Sequence, residues 1–256
     1  MELFGYLALA AMGITLGLMG AGGSILTIPI LVYLLKAPIL LATSYSLVVV
    51  GSTALVAAIR YHHHILFKKA LLFLIPSVLG VFAARHFIIP ALPHTLGVLP
   101  VTKALVILLL IFMVFAGYFM IKNPPLYAEN HSYKNQIIKV VFIGLALGII
   151  IGILGAGGGF LIIPTLVLIM GFTMKEAVPT SLFIITVNSF IGFAADKNHF
   201  ITTDWINLGK YLPPALSGML IGIYIAKFIM GSSLKKAFGY FIWVVGITIF
   251  TKEFIL

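Results

Sequence analysis

The residues of this chain that could do chemistry are mostly backbone. Two glycine clusters, Gly20-Ala21-Gly22-Gly23-Ser24-Ile25 and Gly155-Ala156-Gly157-Gly158-Gly159-Phe160, are each followed by a proline, Pro29 and Pro164. Glycines with a proline close behind cannot sit inside an unbroken helix without cost. Each cluster therefore predicts a break, with a new helix starting near Ser24 or Gly159. The first turn of such a helix leaves N–H groups unpaired, and the helix dipole adds about half a positive charge there. Two such ends facing each other would hold an anion without a buried lysine. Ser46, Thr180, Ser181 and Asn188, in the apolar stretches after the clusters, could add hydroxyl and amide bonds to an oxyanion. Ser46 with Thr53 and Ser181 with Asn188 stand seven residues apart, on one helical face.

Ionisable candidates are few. His64, Asp196 and His199 close apolar runs and could titrate in proton-coupled movement, histidine being the side chain that changes charge near neutral pH. His62-His63-His64 point in different directions on a helix and make no metal cage; Arg85 and His86, near the end of the third span, read as interfacial anchors, with a gate as the alternative. No catalytic or metal-binding constellation is present: paired carboxylates, a zinc-ligand helix and a Gly-x-Ser-x-Gly elbow are missing. With no cysteine, thiolate chemistry is excluded. No cofactor is implied.

The elements that must position these residues follow from composition. The chain is 62% hydrophobic and 9% charged, against about 25% charged in soluble domains. That is a polytopic membrane protein. The net charge of +10 sits in short loops, where Lys and Arg anchor spans to headgroups, and does not form a nucleic-acid patch. Taking about 20 residues per crossing, a first span runs as two half-helices, 3–16 and 25–35, joined by an irregular 17–24. Spans 39–59, 70–89 and 101–121 follow. After the polar loop 122–136 the pattern restarts with a broken span over 137–170, then 177–195, 205–229 and 234–254.

The restart is a repeat. Gly17 to Val32 and Gly152 to Val167 align without a gap, with ten of sixteen positions identical. The fold class is thus an all-α integral membrane protein of about eight transmembrane helices in two homologous four-span halves, 1–121 and 137–256, each opening with a broken Gly-rich helix. Four spans per half would point both halves the same way, related by an axis along the membrane normal; a re-entrant hairpin in each half would invert them. Irregular backbone at membrane depth must be covered by protein or a cavity, so the breaks are expected at the centre, facing each other. Nine Lys and Arg on the side of the termini against seven opposite lean toward cytoplasmic termini.

On these residues the chain resembles the sulfite exporter TauE/SafE family of membrane permeases. The second half carries its Gly-x-x-Gly-x-Gly-Gly-Gly…Pro signature at Gly152, Gly155, Gly157, Gly158, Gly159 and Pro164. It continues to Ala177, Thr180, Ser181 and Leu182 of the family's Ala-x-x-Thr-Ser-Leu. The first half matches at Gly17, Gly20, Gly22, Gly23 and Pro29, with Ser24 for the third clustered glycine and Tyr45-Ser46-Leu47 for Thr-Ser-Leu. The resemblance implies transport, usually outward, of sulfite or organosulfonates across a prokaryotic plasma membrane. The residues themselves read as a secondary transporter of a small anion by alternating access, with lipid and protons as its other partners. A passive anion channel, or a permease for a different anion, is the alternative; a scaffold without transport would leave the duplicated breaks without purpose.

Overall fold

The computed structural model describes residues 2–20, 23–91, 95–96, 99–122, 133–155, 158–196, 204–229 and 231–254. Apolar runs in lipid must satisfy their own backbone, and these do so as helices. The first part of the chain forms α1 (Glu2–Met19), α2 (Ser24–Pro29) continued by a π-helical turn Ile30–Leu34, and α3 (Ile39–Arg60). A short 3₁₀ turn His62–His64 leads to α4 (Phe67–Ala83), which continues as a π-helical turn Ala84–Ile88 and a last turn α5 (Ile89–Ala91). After a two-residue antiparallel pair, β1 (Thr95–Leu96) with β2 (Leu99–Pro100), comes α6 (Val101–Lys122). The second part forms α7 (Tyr133–Leu154), α8 (Gly159–Leu168), α9 (Met174–Ala195), α10 (Trp205–Ala226) and α11 (Gly231–Phe254). Among the described residues, five helices are long and apolar enough to cross a membrane, with shorter apolar helices at Leu3–Met19, Ser24–Leu34, Met113–Lys122 and Gly159–Leu168.

Local chemistry sets the ends. Pro29 has no N–H to give, and just beyond it the ladder slips to i→i−5 pairing, with Leu35 N–H on the Ile30 carbonyl. Thr173 and Glu176 close a capping box at the start of α9. The Asp204 carboxylate accepts the N–H groups of Ile206 and Asn207 at the start of α10.

Helix directions follow from which residues touch. A Cβ on Gly218 would strike the Ala10 carbonyl and one on Gly222 that of Ile14, so α1 and α10 lie parallel with their backbones in contact. In the same way Gly148 meets Ser77 and Gly152 meets Val81, so α4 and α7 are parallel. At the centre α3 and α9 cross antiparallel: Gly51 lies against Ser189, Leu47 against Gly192, and Ser44 bonds Asp196. Helices α6 and α11 also pair antiparallel, Gly117 against Trp243 and Gly246 against Met113. Bulky apolar side chains such as Phe82, Leu220, Ile221 and Val244 point outward, as lipid-facing surface should.

Two expectations from sequence are corrected by these contacts. The broken helices do not continue across; they turn back. A Cβ on Gly5 near the start of α1 would strike Leu35 at the end of the returning segment, and Gly23 abuts Met12 and Leu16. Likewise α7 and α9 run the same way, so α8 between them returns. The reason is length: 18 residues of α1 rise about 27 Å, nearly the whole hydrocarbon thickness, so the break falls at the end of a crossing. The hairpin adds a segment to each part of the chain. Corresponding helices, such as α3 and α9, therefore run in opposite rather than equal directions.

Candidate functional site

The predicted site residues fall into two groups at opposite ends of the α3/α9 pair, with Asn188 between them. From the contacts above, Ser181 lies about thirteen residues along the pair from Ser46, roughly 20 Å at the helical rise of ~1.5 Å per residue. The breaks thus do not meet at the midplane as expected, because each hairpin returns from its own end. Every break is instead braced by the other part of the chain.

At one end Gly20 turns with φ +74°, and a Cβ there would strike Val178 of α9. The Ser181 hydroxyl donates to the Val178 carbonyl at 2.9 Å, with the Gly20 carbonyl a long 3.4 Å away. Gly23 keeps a helical φ of −67° at the start of α2, followed by the buried Ser24 and Ile25. The Thr180 hydroxyl accepts the Leu66 N–H at 3.3 Å. Thr27, one turn into α2, buries a hydroxyl with no hydrogen-bond partner.

At the other end Gly155 turns with φ +68° and Gly158 with φ +62°, and α8 begins at the buried Gly159 and Phe160. Gly158 is thus left-handed where its repeat counterpart Gly23 is helical. The Ser46 hydroxyl makes a short hydrogen bond to the Gly155 carbonyl and also lies 2.8 Å from that of Thr43. A hydroxyl has one proton. The Ser46 proton goes to its shorter contact, the Gly155 carbonyl, and braces that break, whereas the Ser181 proton goes to Val178 of its own helix.

The same end holds a residue that sequence reasoning took for an interfacial anchor. Arg85 is 5% exposed and is the only buried charged residue among the described ones. It stands in the π-helical turn that ends α4. Arg85 continues the buried face of α4 carried by Ser77, Gly80 and Val81, and the extra residue of the turn shifts the register only beyond it, where Phe87 faces out. Arg85 Nη1 donates to Asp196 Oδ2 at 2.9 Å, and the Ser44 hydroxyl donates to the same oxygen at 3.0 Å. Arg85 Nε and Nη2 are buried without hydrogen-bond partners. A Cβ on Gly155 would fall on Nη2, so the guanidinium reaches from the Asp196 carboxylate on one side to the glycine break on the other. In sequence its only signal is a cation within an apolar span and no acidic neighbour to pair with.

Between the ends, Asn188 donates to the Ser77 hydroxyl of α4 while its Oδ1, and the Ser189 hydroxyl beside it, are buried without partners. Thr53 bonds the carbonyls of Val49 and Val50 in its own helix. Of the residues proposed to titrate, Asp196 is held in the ion pair and His64 is exposed on the 3₁₀ turn. Gly22, Gly157 and His199 lie outside the described residues.

Chemically, one edge of a buried guanidinium is unpaired, beside a glycine break from which a new helix starts. The fork of an arginine matches an oxyanion in geometry and charge.

Comparison with known proteins gives the class of the chain as a membrane transporter. The chain is 26% identical over 249 residues to a "Probable membrane transporter protein" of Xylella fastidiosa strain 9a5c, covering 94% of this chain and 92% of that protein. It is 26% identical over 256 residues to "Probable membrane transporter protein YunE" of Bacillus subtilis strain 168, covering 87% and 89%. A "Probable membrane transporter protein" of Haemophilus influenzae is 28% identical over 271 aligned positions, covering 95% and 96%. No solved structure gives a significant match. Residues 6–249 match the family model described as sulfite exporter TauE/SafE, and with that match over nearly its whole length the chain belongs to this family of membrane transporters.

Proposed function

We propose that this membrane transporter exports a small sulfur-containing oxyanion, sulfite or an organosulfonate, across a prokaryotic plasma membrane. The observation that carries the reading is the open Nε/Nη2 edge of buried Arg85 beside Gly155. Burying a guanidinium is costly unless partners satisfy it. Asp196 engages one nitrogen, and a bound oxyanion engages the other two. The N–H groups that open α8, at Gly159 and Phe160, add to the same anion. The Gly20 break, with Gly23, Ser24, Ile25, Thr180 and Ser181, is a second and uncharged station toward the opposite end, and Asn188 lies on the way. The family name supports the sulfur oxyanion.

The cycle is read as alternating access between two inverted halves, 1–121 and 137–256, each with a hairpin and three further helices. Support comes from the packing: α1 with α10 and α7 with α4 are one contact exchanged, while α3 with α9 and α6 with α11 pair with their own counterparts. The hairpins also change the charge count. Ten Lys and Arg now fall at the His62 end: Arg60, Lys68, Lys69, Lys122, Lys134, Lys139, Lys175, Lys227, Lys235 and Lys236. Five described ones fall at the other, Lys36, Arg85, Lys103, Lys210 and Lys252. By the positive-inside rule this count favours the His62 end in the cytoplasm and the termini outside, where the count from sequence alone leaned the other way.

The test is sulfite and methanesulfonate efflux from proteoliposomes, with and without a pH gradient. Wild type moves one of these anions, and Arg85→Ala slows it at least tenfold. If wild type moves neither, the substrate class is wrong. Efflux from Arg85→Ala at the wild-type rate would remove the site.

A further inference from the structure

Asp196 is more than a neutralising partner. The Arg85 guanidinium shows two different edges: Nη1 is spent on Asp196 Oδ2 at 2.9 Å, while Nε and Nη2, which together form the side-on fork, are buried and unpaired. The carboxylate does not fill the fork. It sits on the outer nitrogen and is held there by the Ser44 hydroxyl at 3.0 Å. An anion entering the fork beside Gly155 therefore finds the carboxylate still in place, on the same guanidinium and only a few ångströms away. Two anions then share one cation, in a setting where water is largely excluded and like-charge repulsion is weakly screened.

We propose that Asp196 sets the charge of the anion this site accepts: the Arg85–Asp196 pair takes a monoanionic oxyanion and rejects a dianion. The inference rests on the Arg85 site proposed above. With Arg85 and Asp196 the empty site is neutral. A monoanion leaves it at −1 and a dianion at −2, and no other charged side chain is buried among the described residues to offset the second charge. The class selected is the sulfonate, whose single charge is spread over three oxygens, in preference to sulfate.

The experiment is ligand-induced stabilisation of the purified full chain at pH 7, which converts to apparent affinity by linkage. Methanesulfonate serves as the monoanion probe and sulfate as the dianion. Wild type is expected to bind methanesulfonate at least tenfold more tightly than sulfate, about 1.4 kcal/mol. Asp196→Asn keeps the shape and removes the charge, and is expected to raise sulfate affinity more than methanesulfonate affinity, closing that ratio. Asp196→Glu keeps the charge and is expected to preserve it. Equal binding of the two probes by wild type overturns the proposal even if the Asn variant does not fold, and so does a ratio unchanged in Asp196→Asn. Failure of the underlying site looks different: Arg85→Ala then binds both probes as wild type does. Loss of both probes in Arg85→Ala alongside an unaltered ratio in Asp196→Asn keeps the site and discards the charge filter.

Discussion

The hydroxyl of Ser46 on α3 reaches the carbonyl of Gly155 at the turn between α7 and α8, tying the most buried helix of the first part of the chain to the break of the second. Its counterpart, Ser181, lies 3.4 Å from the Gly20 carbonyl, a long and weak contact. Ser46 ties its break down, while Ser181 spends its one proton on Val178 of its own helix at 2.9 Å. Removing a buried partner from a carbonyl costs about 1–3 kcal/mol. Ser46→Ala should lower thermal stability in detergent by an amount in that range, and Ser181→Ala by less than half as much. Equal losses would show that the distances do not report on strength.

Gly155 has a left-handed φ and no room for a Cβ beside Arg85. Gly155→Ala should therefore cost on the order of 1–3 kcal/mol in backbone strain and displace the guanidinium, lowering anion flux at least tenfold. The control is Gly209, an exposed position in α10 where an added Cβ would meet nothing within 4 Å. Gly209→Ala should stabilise by about 0.5–1 kcal/mol, the helix-propensity gain, and leave flux unchanged.

Because the chain has no cysteine, single cysteines report on membrane sidedness directly. His63 is exposed on the turn after α3 and Lys210 is exposed at the start of α10, at opposite ends of the bundle. In intact cells an impermeant maleimide should label Lys210→Cys and spare His63→Cys. The opposite pattern would reverse the proposed orientation while leaving the helix directions intact.

Helices α1 and α10 touch through backbone at Gly218 and Gly222. Gly218→Leu must push them apart by the width of a side chain, which should lower the unfolding temperature far more than Gly209→Leu in the same helix. A matched pair of melting curves decides it.

Much of the fold was legible in the sequence, and the parts that were not have definite causes. The apolar runs, the glycine breaks and new helices near Ser24 and Gly159 follow from backbone chemistry, and the structure has them. Reversal at the breaks could not be read, since the apolar pattern of 25–35 is the same whether the segment continues or turns back. That ambiguity then spread to the direction of α3 and α9, the placing of the breaks and the sides assigned to every loop lysine. Arg85 escaped for another reason. Regular spacing puts it on the face of Val81 and Ser77, but a uniformly apolar span does not show which face packs on protein and which meets lipid. Ser46 was found by spacing, but the carbonyl its hydroxyl meets belongs to a partner more than a hundred residues away.

The one-sided place of Arg85 matters for energetics along the membrane normal. It stands eighteen residues beyond the start of α4, some 27 Å from the His62 end at ~1.5 Å per residue. A full crossing of one charge through 100 mV is worth about 2.3 kcal/mol. An anion seated at Arg85 has most of that drop on one side of it and little on the other. Exchange with the Asp196 end should then be nearly indifferent to membrane potential, and the step between Arg85 and the His62 end should carry almost all of the voltage dependence of transport.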